Sequence, residues 1–297
     1  MRSGTVAVVG RANAGKSTLI NVIVGEKVSI VSPKPQTTRD RILAVYTAED
    51  CQIVFLDTPG VYKAASLLSE RMQKTTETTA RDVDLVLILV DAHEGLKDED
   101  NELIRRFSRK GNYKTAVVFT KTDIMPDTLM PLILKSLDVD EDRMSFMTSV
   151  SARTGKNVKK LIGLIADCLP EGDPVIEDDI ISDKSEKFMI AEIMREKILL
   201  KYDKEIPHGV AIVVNTFERR KNGTYYVNLD IVCEKQNHKA IIIGKQGQAL
   251  KQTAAFAREG MEKFFGAKVF LETYVKVKED WRDRPDRLKE YGYEEGE

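Results

Sequence analysis

Thr5-Val-Ala-Val-Val-Gly10-Arg-Ala-Asn-Ala-Gly15-Lys16-Ser17-Thr18 is the stretch that decides the fold. Its first half is a short continuous apolar run, the pattern of a strand covered on both faces. Gly10 to Ser17 then fits GxxxxGK[ST], and a helix-like run continues from Lys16 to Gly25. Strand, glycine-rich loop and helix in that order are the context a phosphate-binding loop requires. The glycines let backbone N–H groups curl around phosphates, and the helix N-terminus adds positive potential. Gly10, Arg11, Ala12, Asn13, Ala14, Gly15, Lys16, Ser17 and Thr18 are therefore expected to line a nucleotide. Lys16 would neutralise the β- and γ-phosphates, and the Ser17 hydroxyl would ligate Mg²⁺. The motif alone leaves ATPase, kinase and GTPase open.

The rest of the chain frames that loop. Apolar strand candidates recur at 42–47, 51–57, 85–91, 115–120 and 144–150. Amphipathic helix candidates lie at 67–80, 98–110, 128–137 and 158–169. This alternation predicts an α/β doubly wound domain over 1–172. Pro170-Glu-Gly-Asp-Pro174 and the acids after it mark a linker at 173–182. Beyond it, 183–297 reads α-β-β-α-α-β, with Lys221-Asn-Gly223 as a hairpin turn. A smaller α+β domain is expected there. Lys plus Arg number 46 against 47 Asp plus Glu, so bulk positive charge is excluded as a nucleic-acid binding device. With 42% apolar residues, the chain can bury a core. Cys51, Cys168 and Cys233 lie far apart with no CxxC, which argues against disulfides or zinc and for a reducing compartment. No apolar run approaches the ~18 residues of a membrane span, and a cytoplasmic chain is expected.

Downstream motifs select among the nucleotide chemistries. Asp57-Thr58-Pro59-Gly60 follows an apolar strand. Asp57 would hold Mg²⁺ through water, and the Gly60 N–H would sense the γ-phosphate. Thr120-Lys121-Thr122-Asp123 ends another strand. The Asp123 carboxylate would accept two hydrogen bonds from guanine, a donor pair that adenine lacks. Thr120 stands where Asn is usual, which puts the tie between this loop and the phosphate loop in question. Ser151-Ala152 begins an SAxxG element whose backbone would contact the guanine O6. Four motifs in this order indicate a TRAFAC-class GTPase. The place where Ras-like enzymes carry a water-orienting Gln is Val61, which cannot orient water. Two readings stay open. One is a binding switch with negligible hydrolysis. The other rests on a resemblance to GTPases in which an Asn at this position helps bind K⁺; the resemblance implies that Asn13 holds a K⁺ whose charge would stabilise the transition state. Ser29–Arg41 is the expected switch segment, with Thr38, or failing it Thr37, closing onto Mg²⁺ and γ-phosphate.

In the second half, Ile243-Gly244-Lys245-Gln246-Gly247 sits between two helix candidates. In the α-β-β-α-α-β order this GxxG loop looks like that of a type II KH domain, which clamps about four nucleotides of single-stranded RNA. Lys245 and Lys251 would supply charge. Residues 235–289 carry a local excess of six positive charges. Trp281, among Arg282, Arg284 and Arg287, could stack on RNA or anchor a C-terminal helix; the sequence leaves both open.

Taken together, these motifs and the order of the two modules resemble the Era family of bacterial GTPases over essentially the whole chain. The resemblance implies a GTP-hydrolysing ribosome-assembly factor. It would bind the 3′ end of 16S rRNA through its KH domain and act during maturation of the 30S subunit. It also implies Mg²⁺ as cofactor, slow K⁺-stimulated turnover, peripheral association with the inner membrane and a monomeric chain. Two rivals stay open: an RNA-binding scaffold with a non-catalytic nucleotide domain, and an ATP-dependent RNA enzyme, against which Asp123 argues.

Overall fold

The computed structural model describes residues 1–60, 66–108, 112–126, 128–137, 139, 143–177 and 180–293. By backbone contacts they divide into two units. The first comprises the described residues of Met1–Ser29, Thr38–Lys63 and Met72–Asp183. The second comprises those of Ile30–Thr37, Ala64–Arg71 and Lys184–Glu297.

In the first unit, β1 (Arg2–Gly10) is central in a six-stranded sheet. Its neighbours are β3 (Cys51–Asp57) and β4 (Leu85–Asp91). Beyond β3 lies β2 (Ile42–Thr47), the single antiparallel member; beyond β4 lie β5 (Lys114–Thr120) and β6 (Phe146–Ser149). Every residue of β3 and β4 is buried, as their unbroken apolar runs require of strands covered on both faces. Alternate residues feed two cores. Val6, Val8, Leu85, Leu87 and Leu89 pack with α1 (Lys16–Val24) and α5 (Val158–Cys168). Ala7, Val9, Val86, Ile88 and Val90 pack with residues of α3 (Asp98–Ser108) and α4 (Leu129–Ser136). Helix α2 (Leu67–Thr79), of which Met72 onward belongs to this unit, precedes β4. This is the expected doubly wound α/β domain, with the phosphate-loop motif at the carboxyl end of β1, where open α/β sheets place their ligands.

At the expected linker, 173–182, and just beyond it, Ile176, Ile181 and Asp183 hydrogen-bond to strands of the first unit. Gln52 Nε2 donates to the Ile176 carbonyl at 2.7 Å, and the Ile176 N–H donates back to Gln52 Oε1 at 3.0 Å. The Val45 N–H donates to the Ile181 carbonyl at 2.9 Å, and the Leu43 N–H to Asp183 Oδ1 at 3.0 Å. The open edge of β2 is thereby covered, which blunts a template for strand addition.

The second unit is an α+β fold. Strands β7 (Val210–Arg219), β8 (Tyr225–Cys233) and β9 (Val269–Val277) form a sheet in that order, antiparallel then parallel. The parallel β8–β9 pair needs a crossover. It consists of α7 (Gln236–Ile243) and α8 (Gln248–Phe265), with the GxxG loop between them. Helix α6 (Glu186–Lys201) starts at a Ser185 cap, whose hydroxyl accepts the Phe188 N–H, and supplies Ile190, Ile193, Met194 and Ile198 to the core. Trp281 is fully buried; its Nε1–H donates to the Gly209 carbonyl at 3.0 Å, and its ring packs against Tyr291 and Tyr293. It anchors the turn before α9 (Pro285–Glu290), and its ring is not available to stack on RNA. The three cysteines are buried free thiols. Among the described residues no helix is long and apolar enough to cross a membrane.

Candidate nucleotide and RNA sites

The phosphate loop closes around its own lysine. Lys16 Nζ donates to the Gly10 and Arg11 carbonyls at 3.1 and 3.0 Å. Burial pulls its ammonium down to about 8, because charge is costly to hold in a site that water does not reach. Gly15 caps α1 with φ 87°, and Asn13 also has positive φ, 64°, so the loop turns tightly on both sides of Ala14. Thr18 follows in the first turn of α1. Arg11 reaches outward: its Nε donates to Asp100 Oδ1 at 2.9 Å and its Nη2 lies 3.5 Å from Glu94. That tether to α3, between residues 89 apart, has no motif to announce it.

Ser17, Thr38 and Asp57 converge. Ser17 Oγ donates to Asp57 Oδ2 at 2.7 Å and lies 2.9 Å from Thr38 Oγ1. Asp57 is fully buried, and burial raises its carboxyl despite that hydrogen bond and the charge of Lys16. Its second oxygen, Oδ1, is buried with no hydrogen-bond partner. A buried carboxylate oxygen without a partner, beside two hydroxyls, suits a hard cation or its water. The Thr37 hydroxyl points elsewhere, donating to the Lys34 carbonyl at 2.6 Å. Thr58 Oγ1 donates to the Val8 carbonyl at 2.8 Å, and the Pro59 carbonyl accepts from Thr76. A Cβ on Gly60 would lie 2.9 Å from the Ala12 Cα, so only glycine lets this backbone meet the phosphate loop. Val61 lies outside the described residues.

The candidate base-recognition loop is tied down despite its departure from Asn. Thr120 Oγ1 donates to the Ala14 carbonyl at 2.8 Å, with the Val90 carbonyl at 3.2 Å. A threonine hydroxyl thus joins this loop to the phosphate loop. Lys121, at φ 58°, pairs with Asp91 at 2.6 Å. Thr122 follows in the turn, its N–H 3.4 Å from the Val150 carbonyl. Ser151 Oγ donates to Asp123 Oδ1 at 2.7 Å and accepts the Thr154 N–H, which orients the carboxylate. Ala152 follows, half-buried.

In the second unit, Ile243 ends α7, and Gly244 (φ 71°), Gln246 (φ 50°) and Gly247 (φ 76°) turn the chain into α8. A Cβ on Gly244 would meet the Ala249 Cβ at 2.5 Å, so the glycine is required for the turn itself. Lys245, Gln246 and Lys251 are exposed. The loop is fastened from below: Tyr202 donates its phenolic hydrogen to the Ile242 carbonyl at 2.9 Å, and Lys201 Nζ donates to the Ala249 carbonyl at 2.7 Å. Arg282, grouped with Trp281 in the sequence, is held by Glu234 through two hydrogen bonds of 3.0 and 2.7 Å.

Comparison with known proteins identifies a GTPase module followed by a KH module. The profile of a family described as 50S ribosome-binding GTPase matches residues 5–121, and that of the KH domain matches 205–282. GTPase Era of Clostridium kluyveri is 42% identical over 293 residues, covering 99% of both chains. GTPase Era of Clostridium novyi is 43% identical over 296 residues, again with 99% of each covered. Among solved structures, a variant of Aquifex aeolicus Era bound to GDP·AlF4⁻ superposes with a TM-score of 0.93 at 36% identity, with 99% of each chain covered. A structure of Era with MgGDPNP and nucleotides 1506–1542 of 16S ribosomal RNA gives the same score, identity and coverage.

Proposed function

The chain belongs to the Era family of GTPases, and from that premise we propose that it hydrolyses GTP and binds the 3′ end of 16S rRNA. Its nucleotide state would thereby be coupled to maturation of the 30S subunit. The observation that carries the hydrolytic reading is the Ser17–Asp57–Thr38 cluster with its unpartnered Asp57 Oδ1. Ser17, Thr38 and, through water, Asp57 would hold Mg²⁺, which supplies charge to the phosphate oxygens. Lys16 exchanges its two loop carbonyls for β- and γ-phosphate oxygens, and the Gly60 N–H donates to the γ-phosphate. Asp123, already oriented by Ser151, accepts the guanine donors, while Lys121 lies along the ring and Ala152 offers its backbone to O6. The residues at Gly10 to Thr18, Thr58, Pro59, Val61, Thr120 and Thr122 complete the nucleotide site.

Asn13 is assigned to a K⁺ ion that takes the place of an arginine finger, giving slow turnover that K⁺ accelerates. Ile243, Gly244, Lys245, Gln246, Gly247 and Lys251 carry the RNA. The domain limits are 1–172 and 183–297, with 173–182 between them. The chain acts as a monomer in the cytoplasm and associates peripherally with the inner membrane. The GTP state orders Ser29–Arg41, and hydrolysis releases it.

Hydrolysis measured in KCl and in NaCl tests the catalytic part. We expect faster turnover in K⁺, lost on Asn13→Ala. Equal rates in the two salts would remove K⁺ from the mechanism. No turnover in either would favour a scaffold with a passive nucleotide domain. Competition of GTP binding by excess ATP would revive the ATP-dependent reading.

A further inference from the structure

Arg195 is a buried cation outside the nucleotide loop, its side chain only 1% exposed. On its own helix it pairs with Glu192, Nε donating to Oε1 at 2.7 Å. Its Nη2 also donates to Glu192 Oε2 at 2.5 Å, and both terminal nitrogens reach backbone carbonyls off the helix. Nη1 donates to the Gln36 carbonyl at 3.2 Å, and Nη2 donates to the Thr37 carbonyl. Two donors on adjacent carbonyls use the planar fork of a guanidinium, which an ammonium does not have. Gln36 sits at φ 60°, a conformation that L-residues hold only where neighbours fix it.

The rest of the segment is held as well. The Val31 N–H donates to Glu196 at 3.2 Å, and Lys34 Nζ reaches the Tyr202 carbonyl and Asp203. Ile30–Thr37 accordingly belongs to the second unit, and Thr38 to the first. One peptide bond therefore joins the carbonyl that Arg195 grips to the residue whose hydroxyl lies 2.9 Å from Ser17.

We propose that Arg195 is a positioning residue for GTP hydrolysis: by fixing the Gln36 and Thr37 carbonyls, it sets the backbone from which Thr38 presents its hydroxyl. This rests on the reading of Thr38 as the γ-phosphate sensor. A role confined to neutralising Glu192 would move stability alone. A positioning role separates GTP from GDP, because only the triphosphate state needs Thr38 in place.

The test uses the full chain with two replacements. Arg195→Lys keeps the charge opposite Glu192 but loses the fork. Arg195→Met combined with Glu192→Gln removes the ion pair without stranding a charge. Single-turnover hydrolysis, affinities for GDP and a non-hydrolysable GTP analogue, and thermal unfolding are read for each. We expect hydrolysis to fall roughly 10-fold or more, as small misplacements of a reacting constellation do. Analogue affinity should fall with it while GDP affinity stays at the wild-type value. Unchanged hydrolysis in either folded variant, or equal losses for GDP and analogue, overturns the proposal. Thr38→Ala separates the two levels. If it too leaves hydrolysis intact, the sensor reading fails and the proposal falls with it. If it slows hydrolysis while the Arg195 variants do not, only the proposal falls.

Discussion

At the scale of single residues, two groups in the nucleotide site have measurable consequences. The buried Thr120 hydroxyl joins two loops through the Ala14 carbonyl. Thr120→Val removes that bond at nearly constant shape. A buried hydrogen bond contributes about 1 kcal/mol, so GDP affinity should weaken about fivefold in an equilibrium titration. Unchanged affinity would mean that the tie is idle. Lys16 predicts a pH effect. Its ammonium, at about 8 against an ordinary 10.5, is largely neutral in the free chain above pH 8. Phosphate restores the charge, so GDP binding in EDTA near pH 9 should take up a proton. Calorimetry in buffers of different ionisation enthalpy would show it, and no buffer dependence would refute it. Because the unfolded chain binds more protons between those two values, this group makes the nucleotide-free protein more stable as pH rises through that window.

The motif positions were legible in the sequence, since the chemistry they would serve dictates residue types at short, fixed spacings, but the Thr120 tie was left in question there and only the structure shows it. Arg11–Asp100 and Arg195–Gln36 were not, being contacts between residues 89 and 159 apart that no local pattern encodes.

At the scale of elements, periodicity located the strands and helices, and the Asn-Gly turn located the β7–β8 hairpin. Sequence periodicity did not reveal the bulge between Val214 and Thr216, because a register shift changes pairing without changing composition. The attachment of Ile176 to β3 and of Ile181 and Asp183 to β2 was hidden for a different reason: turn-rich, acidic residues read as a linker whether or not their backbone finds a strand edge. The GxxG turn separates shape from charge. Gly244→Ala must push the Ala249 Cβ away at a positive φ, and should cost about 1–3 kcal/mol of stability along with RNA binding. Lys245→Ala touches neither the turn nor the core. It should leave the unfolding midpoint in place while weakening RNA affinity and reducing the salt slope by about 0.7, the value of one phosphate contact on a single strand. A slope identical to the wild type would show that Lys245 does not meet the RNA. Tyr202→Phe probes the same loop from below, because its hydroxyl holds the Ile242 carbonyl. Its expected effect is weaker RNA binding with GDP affinity unchanged.

At the scale of the whole molecule, the two units do not follow the chain in simple succession. Ile30–Thr37 precedes the candidate switch threonine, and 66–71 follows the Asp57–Gly60 motif, yet both group with the KH unit. Sequence reading could place the two modules but not this exchange, since switch segments are polar loops whose composition carries no record of their neighbours. The proposed coupling of nucleotide to RNA would then have a covalent basis: Thr38, the proposed γ-phosphate sensor, directly follows Ile30–Thr37, which groups with α6. The most direct measurement is GTP hydrolysis in K⁺ buffer with and without an oligonucleotide copying the 3′ end of 16S rRNA. The account predicts stimulation by the RNA, lost in Lys245→Ala at subsaturating RNA. A slow rate indifferent to the RNA, at concentrations where binding is complete, would contradict it.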